Sequence, residues 1–161
     1  LLYYKVGAFN ACLNNMKIDK ELTVYQVKVI DEKIKVIDYG KVSAGFPSPA
    51  EDFVDRKLSL DDRYLQHPES TFIVIVGGLS MANEYDLDDV LVIRSDLTPH
   101  HNDDVIVSVN NSDYTLKRFD FKQNKLIALN PSYNDSIQLN ADDEVKIMGV
   151  VTVQIKERRK V

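Results

Sequence analysis

The sequence predicts a mainly β protein, a folded sheet or partly closed barrel with an N-terminal arm or hairpin, and three observations carry that prediction. Short runs of β-branched and aromatic residues recur between Thr71 and Ile155. Clusters of Asn, Asp, Ser, Gly and Pro separate them, with almost no helical apolar period in between. The 161 residues are 44% hydrophobic and 28% charged, an ordinary globular balance that excludes general disorder. So many short strands leave edges that aggregate unless the sheet folds over or closes on itself.

Leu1–Ile18 fits strand and helix equally. Leu22–Ile30 and Lys33–Ile37 flank Asp31-Glu32 and read as a hairpin, although neither turn residue is Gly or Asn. Val42-Ser43-Ala44-Gly45-Phe46-Pro47-Ser48-Pro49-Ala50 reads as an extended linker, because proline holds the residue before it away from helix. Asp52–Leu65 follows as a short helical stretch with Phe53, Leu58 and Leu60 inward. Thr71–Val76 is a continuous apolar run, expected of a buried strand. Val90–Ile93 and Val105–Val109 repeat that pattern, and Asn110–Asp113 supply a turn before the strand Tyr114–Phe119. Lys125–Leu129 and Glu144–Met148 come next, with Gly149 leading into Val150–Ile155.

Several classes are excluded or disfavoured. No run approaches the ~18 consecutive apolar residues of a membrane-spanning helix. Leu1-Leu2-Tyr3-Tyr4 does not extend into a long apolar core, so no signal peptide is expected. The single Cys12 forms neither an internal disulfide nor a thiolate metal cluster, and a reducing cytoplasm is the expected location. No metal and no cofactor are expected. Residues 1–44 carry a local charge of +2 and residues 45–161 a local charge of −7. An acidic body argues against a broad phosphate-binding surface. The basic run Lys156–Lys160 reads as a solvated tail.

The segment richest in chemistry is Val76-Gly77-Gly78-Leu79-Ser80-Met81. A buried strand ends, two glycines permit a sharp turn, and a hydroxyl follows with backbone N–H groups close by. Ser80 is therefore either a nucleophile or the cap of a following turn; Asn83 three residues on makes no capping box. A nucleophilic hydroxyl needs a base. His67, before a proline, and His100-His101, in a polar loop, have no triad or metal context. Lys117 is the alternative. By strand alternation it shares a face with Thr115, Phe119 and Phe121, while Leu116 and Arg118 point the other way. Burial disfavours an ammonium, and work as a base near neutral pH needs about 3–4 kcal/mol of such destabilisation. The competing reading is an edge-strand lysine that guards against aggregation.

Ala44-Gly45, Gly78-Leu79-Ser80-Met81 and Thr115-Leu116-Lys117-Arg118-Phe119 together resemble the self-cleaving proteins related to LexA and UmuD, of peptidase S24 type. The resemblance covers roughly residues 41–155 and includes Gln66-His67-Pro68 and Gly149-Val150-Val151-Thr152. The proline-bearing stretch after Gly45 is UmuD-like. The spacings, 35 residues from Gly45 to Ser80 and 37 from Ser80 to Lys117, suit that family. Leu79 stands where many members have Asp, and Asp88 and Asp103 stand at two Gly positions.

The resemblance implies a mostly β catalytic domain at 45–161 and an arm at 1–44 that is removed by cleavage between Ala44 and Gly45. It also implies Ser80 as nucleophile, Lys117 as general base, and main-chain N–H groups of Ser80 and Met81 as the oxyanion site. By the same resemblance a RecA filament on single-stranded DNA stimulates the cut. The shortened homodimer then joins a UmuC-type subunit as an error-prone translesion polymerase. A LexA-like repressor, with its DNA-binding part in or upstream of residues 1–44, is the alternative. A type I signal peptidase shares the Ser-Lys chemistry, but no membrane anchor is expected in this chain.

Overall fold

The structure, a computed structural model, describes residues 22–27, 36–38 and 56–158. The ambiguous Leu1–Ile18 segment, the linker Val42–Ala50 and Phe53 lie outside these residues. The elements are β1 (Leu22–Gln26), β2 (Val36–Asp38), β3 (Arg56–Leu58), helix α1 (Leu60–Tyr64), β4 (Thr71–Val76) and β5 (Val90–Arg94). They continue with β6 (Asp104–Val109), β7 (Thr115–Asp120), β8 (Lys125–Ile127), β9 (Ile137–Gln138) and β10 (Val145–Ile155). The chain divides into two compact units, Leu1–Val27 with Glu69–Val161, and Lys28–Pro68.

The first unit is one curled, half-barrel sheet of eight antiparallel strands in the order β1-β4-β5-β10-β6-β7-β8-β9, as the strand runs predict. All six residues of β6 are buried, so both faces of that strand need cover. Alternation splits the cover: Val105, Val107 and Val109 join one apolar cluster with Phe119 and Leu126, while Ile106 joins another with Phe72, Leu91 and Leu116. The long strand β10 makes the curl possible. Val145–Val150 pairs with β6 and Val150–Ile155 with β5, and a bulge interrupts each ladder. The bulge between Ile147 and Gly149 shifts the alternation by one residue, so Val145, Ile147 and Val150 reach the same cluster.

Gly149, read from the sequence as a break between two strands, lies inside this one. Its role is close approach: a Cβ there would sit 2.7 Å from the Arg94 carbonyl oxygen and 2.9 Å from its carbon. Backbone cannot swing aside as a side chain can. Gly149→Ala is expected to cost about 1–3 kcal/mol in denaturant unfolding; an unchanged midpoint would contradict the close approach.

Asp31-Glu32 and the residues beside it, where the hairpin is expected, lie outside the described residues, and the described flanks pair elsewhere. β1 pairs with β4, Leu22 opposite Val76, and β2 pairs with β3. The physical reason for the first is burial. Leu22 and Val24 alternate onto the apolar cluster around Phe72 and Met81, a gain that a two-residue turn without Gly or Asn does not match.

In the second unit, β3 and α1 replace the single helical stretch expected over Asp52–Leu65. Ser59 stops the strand and starts the helix, its hydroxyl accepting the Asp62 N–H at 3.3 Å. Asp61 and Asp62 favour the helix N-terminus electrostatically. Leu60 is exposed, not inward, because a five-residue helix buries none of its own residues.

No helix among the described residues is long and apolar enough to cross a membrane. Lys156 is not a free tail residue: its ammonium lies 3.1 Å from Asp86 and 3.7 Å from Asp89.

Candidate active site

Two neighbouring pieces of the curled sheet build the site. β4 ends at Val76, Gly77-Gly78 follow, and the chain turns through Ser80–Glu84. The turn is closed by N–H groups of Glu84 and Tyr85 donating to the Met81 carbonyl, and of Ala82 donating to that of Leu79. Asn83 takes a left-handed φ of 111° within it. The Met81 side chain is buried in the core cluster, which pins the main chain beside Ser80. A turn does follow Ser80, as the capping reading expects, but the contact described for its hydroxyl is with the Lys117 amine.

Lys117 comes from β7, between β6 and β8, and is therefore no edge-strand guard. It stands opposite Val105, with Thr115 opposite Val107 on the same face. The lysine is 2% exposed and Ser80 8%. Lys117 Nζ lies 3.4 Å from Ser80 Oγ, 3.5 Å from Thr115 Oγ1 and 2.7 Å from Asp135 Oδ2. Ser80 and Lys117, 37 residues apart, are thus brought within hydrogen-bond reach. A shallow recess beside them is lined by Leu22, Val76, Gly78, Met81 and Thr115. Phe121, expected on the face of Lys117, falls in the turn after β7 and is exposed, its ring set edge-on to Phe119 at 5.9 Å.

Two sets of contacts hold the Ser80 turn against its surroundings. Asn130 donates its backbone N–H to the Ser80 carbonyl at 2.9 Å and its side-chain amide to the Leu79 carbonyl at 2.8 Å. Asn83 returns a hydrogen bond to the Leu129 carbonyl. On the other side, Arg118 grips Asp104 through two hydrogen bonds of 2.8 Å and reaches Glu84 at 2.7 Å, while the Tyr85 hydroxyl donates to Asp104 at 2.6 Å. Arg118 thereby clamps the strand that carries Lys117 to the turn that carries Ser80. Burial first, then the bond to Asp104, pushes the Tyr85 phenol above its ordinary range. The same carboxylate holds the Arg118 guanidinium more firmly charged. Arg118→Met leaves the buried Asp104 with Tyr85 alone, and a loss of roughly 2–4 kcal/mol is expected in denaturant unfolding. A loss below about 0.5 kcal/mol would show the clamp to be idle.

The remaining candidates are placed elsewhere. His100 is well exposed, and His101 Nδ1 lies 3.4 Å from Asp120 Oδ1. No group of three or more metal-ligating side chains occurs among the described residues. Asp88 adopts a left-handed φ of 68°, as a Gly position would demand, whereas near the second position Asn102, not Asp103, does so. Ala44 and Gly45 lie outside the described residues.

Sequence reasoning overlooks Asn130 and Asp135. A lone Asp in the polar loop Asn130–Ser136 carries no periodic or motif signal, and only the chain's path from β8 to β9 brings it to Lys117.

Residues 35–152 match the Peptidase S24-like family. Protein MucA of Salmonella typhimurium is 34% identical over 120 residues, 73% of this chain and 81% of that protein. Protein SamA of Salmonella typhimurium strain LT2 is 33% identical over 119 residues, again with 81% of its length covered. The LexA repressor of Exiguobacterium sibiricum is 34% identical over 113 residues, 70% of this chain, which spans about half of that repressor (54%). The chain therefore belongs to the Peptidase S24-like family, as a UmuD-like member of its LexA and UmuD group.

Proposed function

We propose that the chain cuts its own Ala44–Gly45 bond, with Ser80 as nucleophile and Lys117 as general base. The observation that carries this reading is the 3.4 Å approach of a buried lysine amine to a buried serine hydroxyl. Neutral Lys117 takes the Ser80 proton as Oγ attacks the Ala44 carbonyl carbon. Main-chain N–H groups of Ser80 and Met81 stabilise the oxyanion that forms. The C–N bond then breaks, the Gly45 amine leaves with the proton from Lys117, and Ala44 remains as an ester on Ser80. Water attacks that ester as Lys117 takes its proton, the bond from the Ala44 carbonyl carbon to Ser80 Oγ breaks, and Lys117 returns the proton to Oγ. Small side chains at Ser43 and Ala44 suit a narrow site, and the tether between substrate and enzyme supplies a high effective concentration. The products are residues 1–44 and 45–161.

In this reading the chain acts in the DNA-damage response of the cytoplasm, as a homodimer. A RecA filament on single-stranded DNA promotes the cut, and the shortened form serves a UmuC-type translesion polymerase. Similarity to MucA and SamA over four fifths of their length supports it. The repressor reading draws on similarity to LexA and on the +2 charge of residues 1–44. Two assays test them, the first the cut that both readings share and the second the choice between them. Purified chain incubated with a RecA filament and nucleotide is expected to yield the 1–44 and 45–161 fragments by mass; an intact chain would contradict the stimulated cut. The uncut chain is expected to give no shift of its own promoter DNA. A shift lost on cleavage would replace the polymerase role by the repressor role.

A further inference from the structure

We propose that Asp135 is a latch on the base: it holds Lys117 in the charged, resting form and must move off when the scissile segment enters. The inference rests on the assignment of Lys117 as base. It begins from an asymmetry in that residue's surroundings. The contact to Asp135, 2.7 Å, is much shorter than those to Ser80 and Thr115, 3.4 and 3.5 Å. An ammonium beside a carboxylate forms a charge-assisted hydrogen bond, and the pairing favours the charged form of both groups. An ammonium has three donors and no lone pair. Paired in this way, Lys117 donates toward Ser80 Oγ and cannot take its proton.

Lys117 is 2% exposed on the interior strand β7, which also carries the half-buried Thr115, and Ser80 is buried in its hydrogen-bonded turn. Asp135 is different. It sits on the loop between β8 and β9 with its side chain 45% exposed, and reaches inward from solvent to a buried amine. Among the described partners of Lys117, Asp135 is the one that reaches in from an exposed loop. Its departure would leave an uncompensated buried ammonium, which is costly, so the proton goes to water and the neutral amine remains.

No other charge is positioned to take over from Asp135 among the described residues. Val105, opposite on β6, is apolar. Asp104 is held by Arg118 and Tyr85, and Glu84 by Arg118. Asp120 accepts the Gln123 N–H and faces His101, and Lys125 of β8 stands in register with Asp120. The loop that carries Asp135 is also tied at its start to the Ser80 turn, through Asn130 to the Leu79 and Ser80 carbonyls. Exposed Leu79 and Tyr133 flank that junction. A peptide segment docking beside Ser80 therefore meets the latch loop, which couples neutralisation of the base to arrival of the bond.

The test is the full chain with Asp135→Asn, which keeps the shape and removes the charge, beside Asp135→Glu, which keeps the charge. In a Ser80→Ala background, titration of carbon-13-labelled lysine side chains by NMR follows Lys117 without cleavage. Asp135→Asn is expected to lower the Lys117 midpoint by about one pH unit or more, and Asp135→Glu to stay near the parent. With Ser80 present, Asp135→Asn should cut itself about tenfold faster at neutral pH and reach the same alkaline plateau. An unchanged midpoint, or slower cutting at every pH, would overturn the latch. A lowered midpoint without any Ser80-dependent cutting would leave the latch standing and refute the proposed cleavage instead.

Discussion

Ser80→Ala is expected to stop self-cleavage, lowering the rate by roughly 10³-fold or more at every pH. The size follows from the chemistry, since Ser80 carries the acyl ester in the proposed reaction. The fold should survive. The Ser80 hydroxyl contacts Lys117 at 3.4 Å, and Lys117 keeps Asp135 and Thr115 when that hydroxyl is lost. A stability change within about 1 kcal/mol is expected. Time courses of chain length at neutral and alkaline pH, read with unfolding curves, check both halves. A stably folded Ser80→Ala that still cuts would remove Ser80 from the mechanism.

Replacing Lys117 should do as much damage, in a pH-dependent way. The working form of the base is the neutral amine, whose fraction rises about tenfold per pH unit until its titration is complete. Wild-type cutting should therefore accelerate as pH rises. Lys117→Met keeps the buried stem but has no amine, and Lys117→Arg keeps a charge that does not deprotonate. Both should be inactive at all pH values and lack the alkaline rise. Methionine avoids the cavity that alanine would leave beside Val105. An alkaline rise retained in Lys117→Met would mean that another group supplies the base.

Much of the sheet is legible in the residues. Thr71–Val76 and Val105–Val109 announce buried strands because both faces are apolar, and both sit where that pattern puts them. β9 is not legible: two residues, Ile137 and Gln138, form a strand only because β8 offers its edge. Gly149 misleads, since a glycine inside an apolar run reads as a break, whereas here it lets β10 pass the Arg94 backbone. Local rules also misjudge Leu22–Gln26, whose partner is chosen by burial against Val76 and its neighbours. At the site, Ser80 stands out as a hydroxyl after a strand and two glycines. Lys117 stands out as the charge on a strand face it shares with Thr115 and Phe119. Asn130 and Asp135 carry no such mark, because their importance comes from a loop crossing the sheet's surface.

The central claim is that Ser80 and Lys117 cut the Ala44–Gly45 bond unaided. Its most direct test is intact-mass spectrometry of purified chain, held without any partner at neutral and then alkaline pH, beside Ser80→Ala and Lys117→Met. The account predicts fragments ending at Ala44 and beginning at Gly45, forming faster at alkaline pH and absent from both variants. A wild-type chain that stays whole at alkaline pH, or the same fragments from Ser80→Ala, would contradict it.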